Sequence, residues 1–167
     1  RMVNCLVVGN KGHANGAVYV PAITGVATPL RIDNCTIAGN LHSGSGTSGT
    51  AGGLSVESGA TVEVNNTVIW CNSGTVNSNV SGSINYEFCL IHGVNPGGDN
   101  LDGAYAGNDP LFLDPAASFT APFAVDDYDY RLQSQSALIG NGMGSASPAD
   151  SADLDQDGDI AETIPRD

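Results

Sequence analysis

Four short segments of this chain repeat one pattern: Asn4-Cys5-Leu6-Val7-Val8-Gly9-Asn10, Asn34-Cys35-Thr36-Ile37-Ala38-Gly39-Asn40, Asn66-Thr67-Val68-Ile69-Trp70-Cys71-Asn72 and Phe88-Cys89-Leu90-Ile91-His92-Gly93-Val94. Their starts lie 30, 32 and 22 residues apart. A strand-like core between turn residues, recurring every few tens of residues, marks a stacked architecture in which each unit buries its apolar face against its neighbours.

Alternation inside each segment assigns one face to Cys5 and Val7, Cys35 and Ile37, Thr67 and Ile69, Cys89 and Ile91. Residues two apart on a strand point the same way, so these are expected to face inward. Leu6, Val8, Val68 and Leu90 point outward and are too apolar for full solvation, so loops or a partner should cover them. Asn4, Asn34, Asn66, Asn10, Asn40 and Asn72 stand at the edges, where asparagine tolerates left-handed backbone and stacked amides can bond between repeats. Further strands are expected at 16–20, 30–32, 53–56 and 61–64, and a Gly/Ser-rich loop at 42–50. Three short strands per repeat, joined by right-handed crossovers, predict an all-β right-handed parallel β-helix, a solenoid ending in an irregular acidic C-terminal cap. Residues 1–95 form its coils, and 96–167 the terminal coil and capping tail.

Composition narrows the partners. With 22 glycines and only five Lys and Arg in 167 residues, turns and strands are favoured over helices. The net charge of −13 divides into −1 over residues 1–95 and −12 over 96–167. That surface repels phosphate backbones, so no nucleic acid is expected, whereas metal cations suit it. No apolar run approaches about 18 residues, so no membrane span is expected. Arg1-Met2 leads straight into a repeat, so the chain reads as continuing upstream into a larger parent. Cys5, Cys35 and Cys89 share one repeat position with Thr67, which favours buried packing over disulfides; Cys71 occupies the Gly39 position.

The C-terminal third carries Asp109-Pro110-Leu111-Phe112-Leu113-Asp114-Pro115, Asp129-Tyr130-Arg131-Leu132-Gln133, Ser136-Ala137-Leu138-Ile139-Gly140-Asn141-Gly142 and Asp153-Leu154-Asp155-Gln156-Asp157-Gly158-Asp159, in that order. Together with the Asn-Cys-Thr-Ile-x-Gly-Asn repeats, this succession resembles the end of secreted bacterial pectin-lyase-like β-helix proteins, in particular the group named for a choice-of-anchor Q domain. The repeats are also similar to those of polymorphic outer-membrane proteins. The chain departs at Ser136-Ala137-Leu138-Ile139-Gly140, where similar proteins read Ser-Pro-Ala-Ile-Asp, and ends at Asp167 where they commonly add an acidic-aromatic strand. The resemblance implies an extracellular or cell-surface location and no particular reaction.

The strongest chemical candidate is the set Asp153, Asp155, Asp157 and Asp159. Carboxylates at alternate positions with Gly158 between the last two match the first half of a calcium loop, whose hard oxygens converge on Ca²⁺. Ile164 stands where the closing Glu belongs, so another ligand must complete the cage. Asp126, Asp127 and Asp129 read as a charged turn, and Asp109 and Asp114 as turn residues closing the last coil. His13, His42 and His92 show no ligand spacing and read as satisfied surface or loop residues. Tyr19, Trp70, Tyr86 and Tyr105 read as packing before sugar-stacking platforms. Asp33 and Glu63, with Arg31 nearby, are the nearest approach to a glycosidase pair, and no convincing catalytic set emerges. The expectation is a non-catalytic structural or adhesive protein that self-associates or joins a larger chain at its first coil. A fragment of a polysaccharide lyase or hydrolase, or a polysaccharide-binding β-helix, is the alternative.

Overall fold

The computed structural model describes residues 1–13, 15–22, 29–44, 51–74, 79–117, 119 and 123–144. Among the described residues there are fifteen short strands, with two single-turn 3₁₀ helices beyond the repeats. The first repeat supplies β1 (Met2–Val3), β2 (Leu6–Val8), β3 (Lys11–Gly12) and β4 (Val18–Val20). The second supplies β5 (Leu30–Asp33), β6 (Thr36–Ala38), β7 (Leu41–His42) and β8 (Leu54–Val56). The third gives β9 (Val62–Asn65), β10 (Val68–Trp70) and β11 (Val80–Ser81), and the fourth β12 (Ile84–Glu87) and β13 (Leu90–Ile91).

Strands from successive repeats pair in chain order. A first sheet runs β1-β5-β9-β12, a second β2-β6-β10-β13, a third β4-β8-β11, and a two-stranded pair is β3-β7. All these pairings are parallel, and equivalent residues meet: Val7, Ile37, Ile69 and Ile91 form one column, while Met2, Ile32, Val64 and Tyr86 form another. The all-β, parallel-strand character expected from the repeats is therefore present. The short β3 and β7, extended by a bridge from Leu41 to Ser73, add a fourth position to the three foreseen.

The core follows the alternation. Val20, Ile32, Cys35, Ile37, Leu54, Val56, Val62, Val64, Ile69, Cys89 and Ile91 form one buried cluster, with Cys5 and Val7 packed at its margin. Thr67 completes the cysteine column, its hydroxyl accepting from Cys35 N–H and donating to Asn65 O. Between the first two sheets the chain turns through left-handed backbone at Asn4, Asn34, Asn66 and Phe88, with φ of 50°, 52°, 47° and 54°. Asparagine accepts this region because its short polar side chain bonds locally; Phe88 has no such help.

The outward Val8, Val68 and Leu90 of the second sheet are covered by the chain's own C-terminal part, whereas Leu6 is 51% exposed. There β14 (Phe112–Asp114) and β15 (Asp129–Leu132) pair antiparallel. Phe112 is buried with Ala38, Trp70 and Leu90, and Val8, Val68, Tyr130, Leu132 and Leu138 pack around them. The Phe112 and Tyr130 rings meet edge-on at 5.4 Å between centroids, a preferred aromatic geometry. Asp109 is a turn residue, its Oδ1 accepting from Leu111 N–H at 2.8 Å. Asp114 lies in β14 opposite Asp129, so this segment straps the flank of the second sheet. Met143 fastens the strap by exchanging hydrogen bonds of 2.7 and 2.9 Å with the Asn66 carboxamide.

Candidate functional site

Two polar constellations arise from the stacking. The first lies at the end of the first sheet, where β5 and β9 pair Arg31 with Glu63 and Asp33 with Asn65. Arg31 Nε lies 3.3 Å from Glu63 and 3.9 Å from Asp33, and Arg1 Nε donates to Asp33 Oδ2 at 2.9 Å. Asp33 is fully buried, and its other oxygen accepts from Asn65 Nδ2 at 2.7 Å. A carboxylate withdrawn from water requires such partners. The register sets Asp33 beside Asn65 and Glu63 beside Arg31, so the two acids raised as a glycosidase pair are not stacked on one another. Each is engaged by a guanidinium, and Asp33 faces no solvent.

The second constellation is an asparagine ladder. Asn10 donates its backbone N–H and Nδ2–H to Asn40 Oδ1 at 2.9 and 3.0 Å. Asn40 repeats this toward Asn72 Oδ1 at 3.0 and 2.8 Å, and Asn72 toward Asn79 Oδ1 at 3.0 and 3.2 Å. The second Nδ2 proton returns one repeat, from Asn40 to Val7 O and from Asn72 to Ile37 O. Asn79 Nδ2 ends the series on His92 O at 3.0 Å. Asn40, Asn72 and Asn79 are buried, and the bonds between them meet the obligation of buried amides. Bonding between stacked amides was legible in the sequence; the entry of Asn79 was not, since it lies outside the repeated heptad.

Of the remaining candidates, Tyr105 is 64% exposed rather than packed in core or cap. His42 is buried rather than on the surface, because β7 turns it inward. His92 is exposed, stacks on Trp70 at 4.2 Å between centroids and accepts from Cys71 N–H through Nδ1. Tyr86 packs against the core and Trp70 lies under the strap. Tyr19 is partly exposed and its hydroxyl donates to Glu57 Oε2 at 2.9 Å. The Ala22 N–H and that hydroxyl both donate to Glu57 and hold its pKa below the ordinary value. All four cysteines are free thiols. Burial pushes Cys35 and Cys89 up to about 12, which removes their nucleophilic thiolate at neutral pH.

Asp153, Asp155, Asp157 and Asp159 lie outside the described residues, as do residues 45–50 of the Gly/Ser loop. Among the described residues no three His, Cys, Asp or Glu side chains converge as metal ligands, and no helix is long and apolar enough to cross a membrane. Comparison with family models, curated proteins and solved structures gave no match to this chain.

Proposed function

We propose that this chain is a non-catalytic structural or adhesive element, a right-handed parallel β-helix borne outside the cell or on its surface. The observation that carries the reading is the in-register meeting of equivalent residues in successive parallel strands, with a buried amide ladder running through them. Such an arrangement invests its polar groups in holding repeats together. The charged groups of the first sheet are likewise engaged with one another, which supports a scaffold rather than a reacting centre. The resemblance of the repeats and tail motifs to secreted pectin-lyase-like proteins supports the location.

On this reading Asp153, Asp155, Asp157 and Asp159 bind Ca²⁺ and stabilise the C-terminal cap. Melting the chain with calcium and again with chelator tests that part: a rise in midpoint with calcium is expected, and an unchanged midpoint removes it. The alternative is a carbohydrate-active or carbohydrate-binding protein, favoured by Arg31 and Glu63 together on one outward face. Incubation with acidic polysaccharides decides between the two. Release of unsaturated or shortened products would overturn the structural reading.

A further inference from the structure

Directly after the corner between the first two sheets, each repeat places one small side chain: Cys5, Cys35, Thr67 and Cys89. The first two are held in register from both sides. Val3 pairs with Asp33 before them and Leu6 with Thr36 after them, and Cys5 O accepts from Thr36 N–H at 2.9 Å. Adjacent strands lie about 4.8 Å apart, and a disulfide spans Cα separations of about 4.4–6.8 Å. The backbone therefore already meets the spacing that a bond between these two cysteines requires.

The sulfurs point the same way. Cys5 Sγ donates to Val3 O and Cys35 Sγ to Asp33 O, each at 3.1 Å and each to the carbonyl two residues back. The two thiols lie within hydrogen-bonding reach of each other. Rotation of both off those carbonyls, with a slight approach of the strands, brings sulfur to sulfur. Neither of the other cysteines has such a neighbour. Thr67 stands between Cys35 and Cys89, which sets them two strand spacings, about 9.6 Å, apart, beyond the limit of about 7 Å for bridging. Cys71 packs in the separate cluster of Trp70 and Phe112.

We propose that Cys5 and Cys35 are a dithiol pair that closes to a disulfide during folding in oxidising surroundings, tying the first repeat to the second. The structure, with every thiol free, is the reduced form. The oxidant is a small disulfide of the glutathione class. One cysteine thiolate attacks it and releases one reduced thiol; the other cysteine thiolate attacks the resulting mixed disulfide and releases the second. Two protons and two electrons leave the pair, and the oxidant takes them up as two thiols. Burial sets the timing. The Cys35 thiol is pushed up to about 12 once the repeats stack, so its exchange runs while the chain is open and stops when it closes. The location outside the cell proposed above supplies such surroundings, and the pairing is testable independently of it.

The test unfolds and reduces the full chain, refolds it in mixed reduced and oxidised glutathione, and alkylates the remaining thiols. Non-reducing peptide mapping by mass spectrometry then locates any disulfide, and circular dichroism follows folding and melting. The expected product links Cys5 to Cys35, leaves Cys71 and Cys89 alkylated, and melts roughly 5–10 °C above the chain refolded in reductant. Cys5→Thr and Cys35→Thr copy Thr67 and should each abolish that rise; either variant suffices. Cys71→Ser should keep it. A chain that refolds without the Cys5–Cys35 bond, or one in which the bond lowers the midpoint, would overturn the proposal and leave the stacked-repeat reading intact. A folded chain linking Cys35 to Cys89 would overturn both, since that reading separates them by Thr67.

Discussion

Replacing Asn40 by alanine attacks the ladder at its most connected rung. The side chain takes part in four hydrogen bonds: two accepted from Asn10, and two donated to Val7 O and Asn72 Oδ1. Water can replace the two from Asn10, because that residue is exposed. The two donated bonds are withdrawn from bulk water, one buried and one part-buried, and each is worth about 1 kcal/mol; Asn72 Oδ1 keeps the Asn40 backbone N–H as a donor. The expected loss is therefore about 2 kcal/mol, a large share of the roughly 5–15 kcal/mol that holds a domain together. For a chain of this size that corresponds to a fall in melting midpoint of roughly 4–8 °C. Circular dichroism melts, checked by urea titration, measure it. The control is Asn10→Ala, which removes bonds only from an exposed side chain and should cost under about 1 kcal/mol. Equal, small losses in the two variants would refute the claim that the buried rungs carry the load.

Three further outcomes follow from single residues. Native chain treated with a thiol reagent at mildly alkaline pH should label Cys5 while Cys35 and Cys89 react only on unfolding, since burial pushes both up to about 12; peptide mapping by mass spectrometry reads this. Gly39→Ala should destabilise more than Gly93→Ala. Both sit at positive φ, but a Cβ at Gly39 falls 3.1 Å from the Tyr130 hydroxyl, whereas one at Gly93 meets nothing within 4 Å. Comparative melts measure the difference, expected at about 1 kcal/mol or more. Asp129 should titrate at about 2 in a carbon-detected NMR titration, because hydrogen bonds from the Arg131 side chain and then its backbone N–H favour the carboxylate; Arg131→Ala should return it toward the ordinary range. Its folded pKa is depressed, so its contribution is present above the unfolded value of about 3.9 and disappears as pH falls toward 2.

The parallel sheets were legible because their cause is periodic. The two-residue alternation of Cys35 with Ile37 and of Thr67 with Ile69 is written in the repeat, and so are the asparagines that turn the chain. Of the outward Leu6, Val8, Val68 and Leu90 expected to need a cover, the last three have one in the strap of Phe112, Tyr130, Leu132 and Leu138, whereas Leu6 stays 51% exposed. Where the strap lies was not legible. Phe112–Asp114 and Asp129–Leu132 occur once each, and an antiparallel pair separated by an intervening segment leaves no repeat to align. The Arg1 to Asp33 and Arg31 to Glu63 pairs needed the register, which sequence spacing of 30 to 32 residues suggests without fixing. One residue of slip would have turned each of those side chains to the other face.

The column Gly9, Gly39, Cys71 and Gly93 shows how the repeat and the strap constrain each other. All four have positive φ, from 51° at Cys71 to 77° at Gly93, so glycine is explained there by backbone alone. The strap adds a second demand. An added Cβ at Gly9 would fall 2.0 Å from the Phe123 ring, and one at Gly39 would meet Tyr130 and Ala116. Cys71 keeps its side chain and spends it in the strap cluster, beside Trp70 and Tyr130. Gly93 meets no strap atom. Glycine is thus required twice over in the first two repeats, once in the fourth, and dispensed with in the third where a thiol fills space. The backbone rule predicts four interchangeable corners; the packing ranks them, with Gly9 and Gly39 the least tolerant of substitution and Gly93 the most.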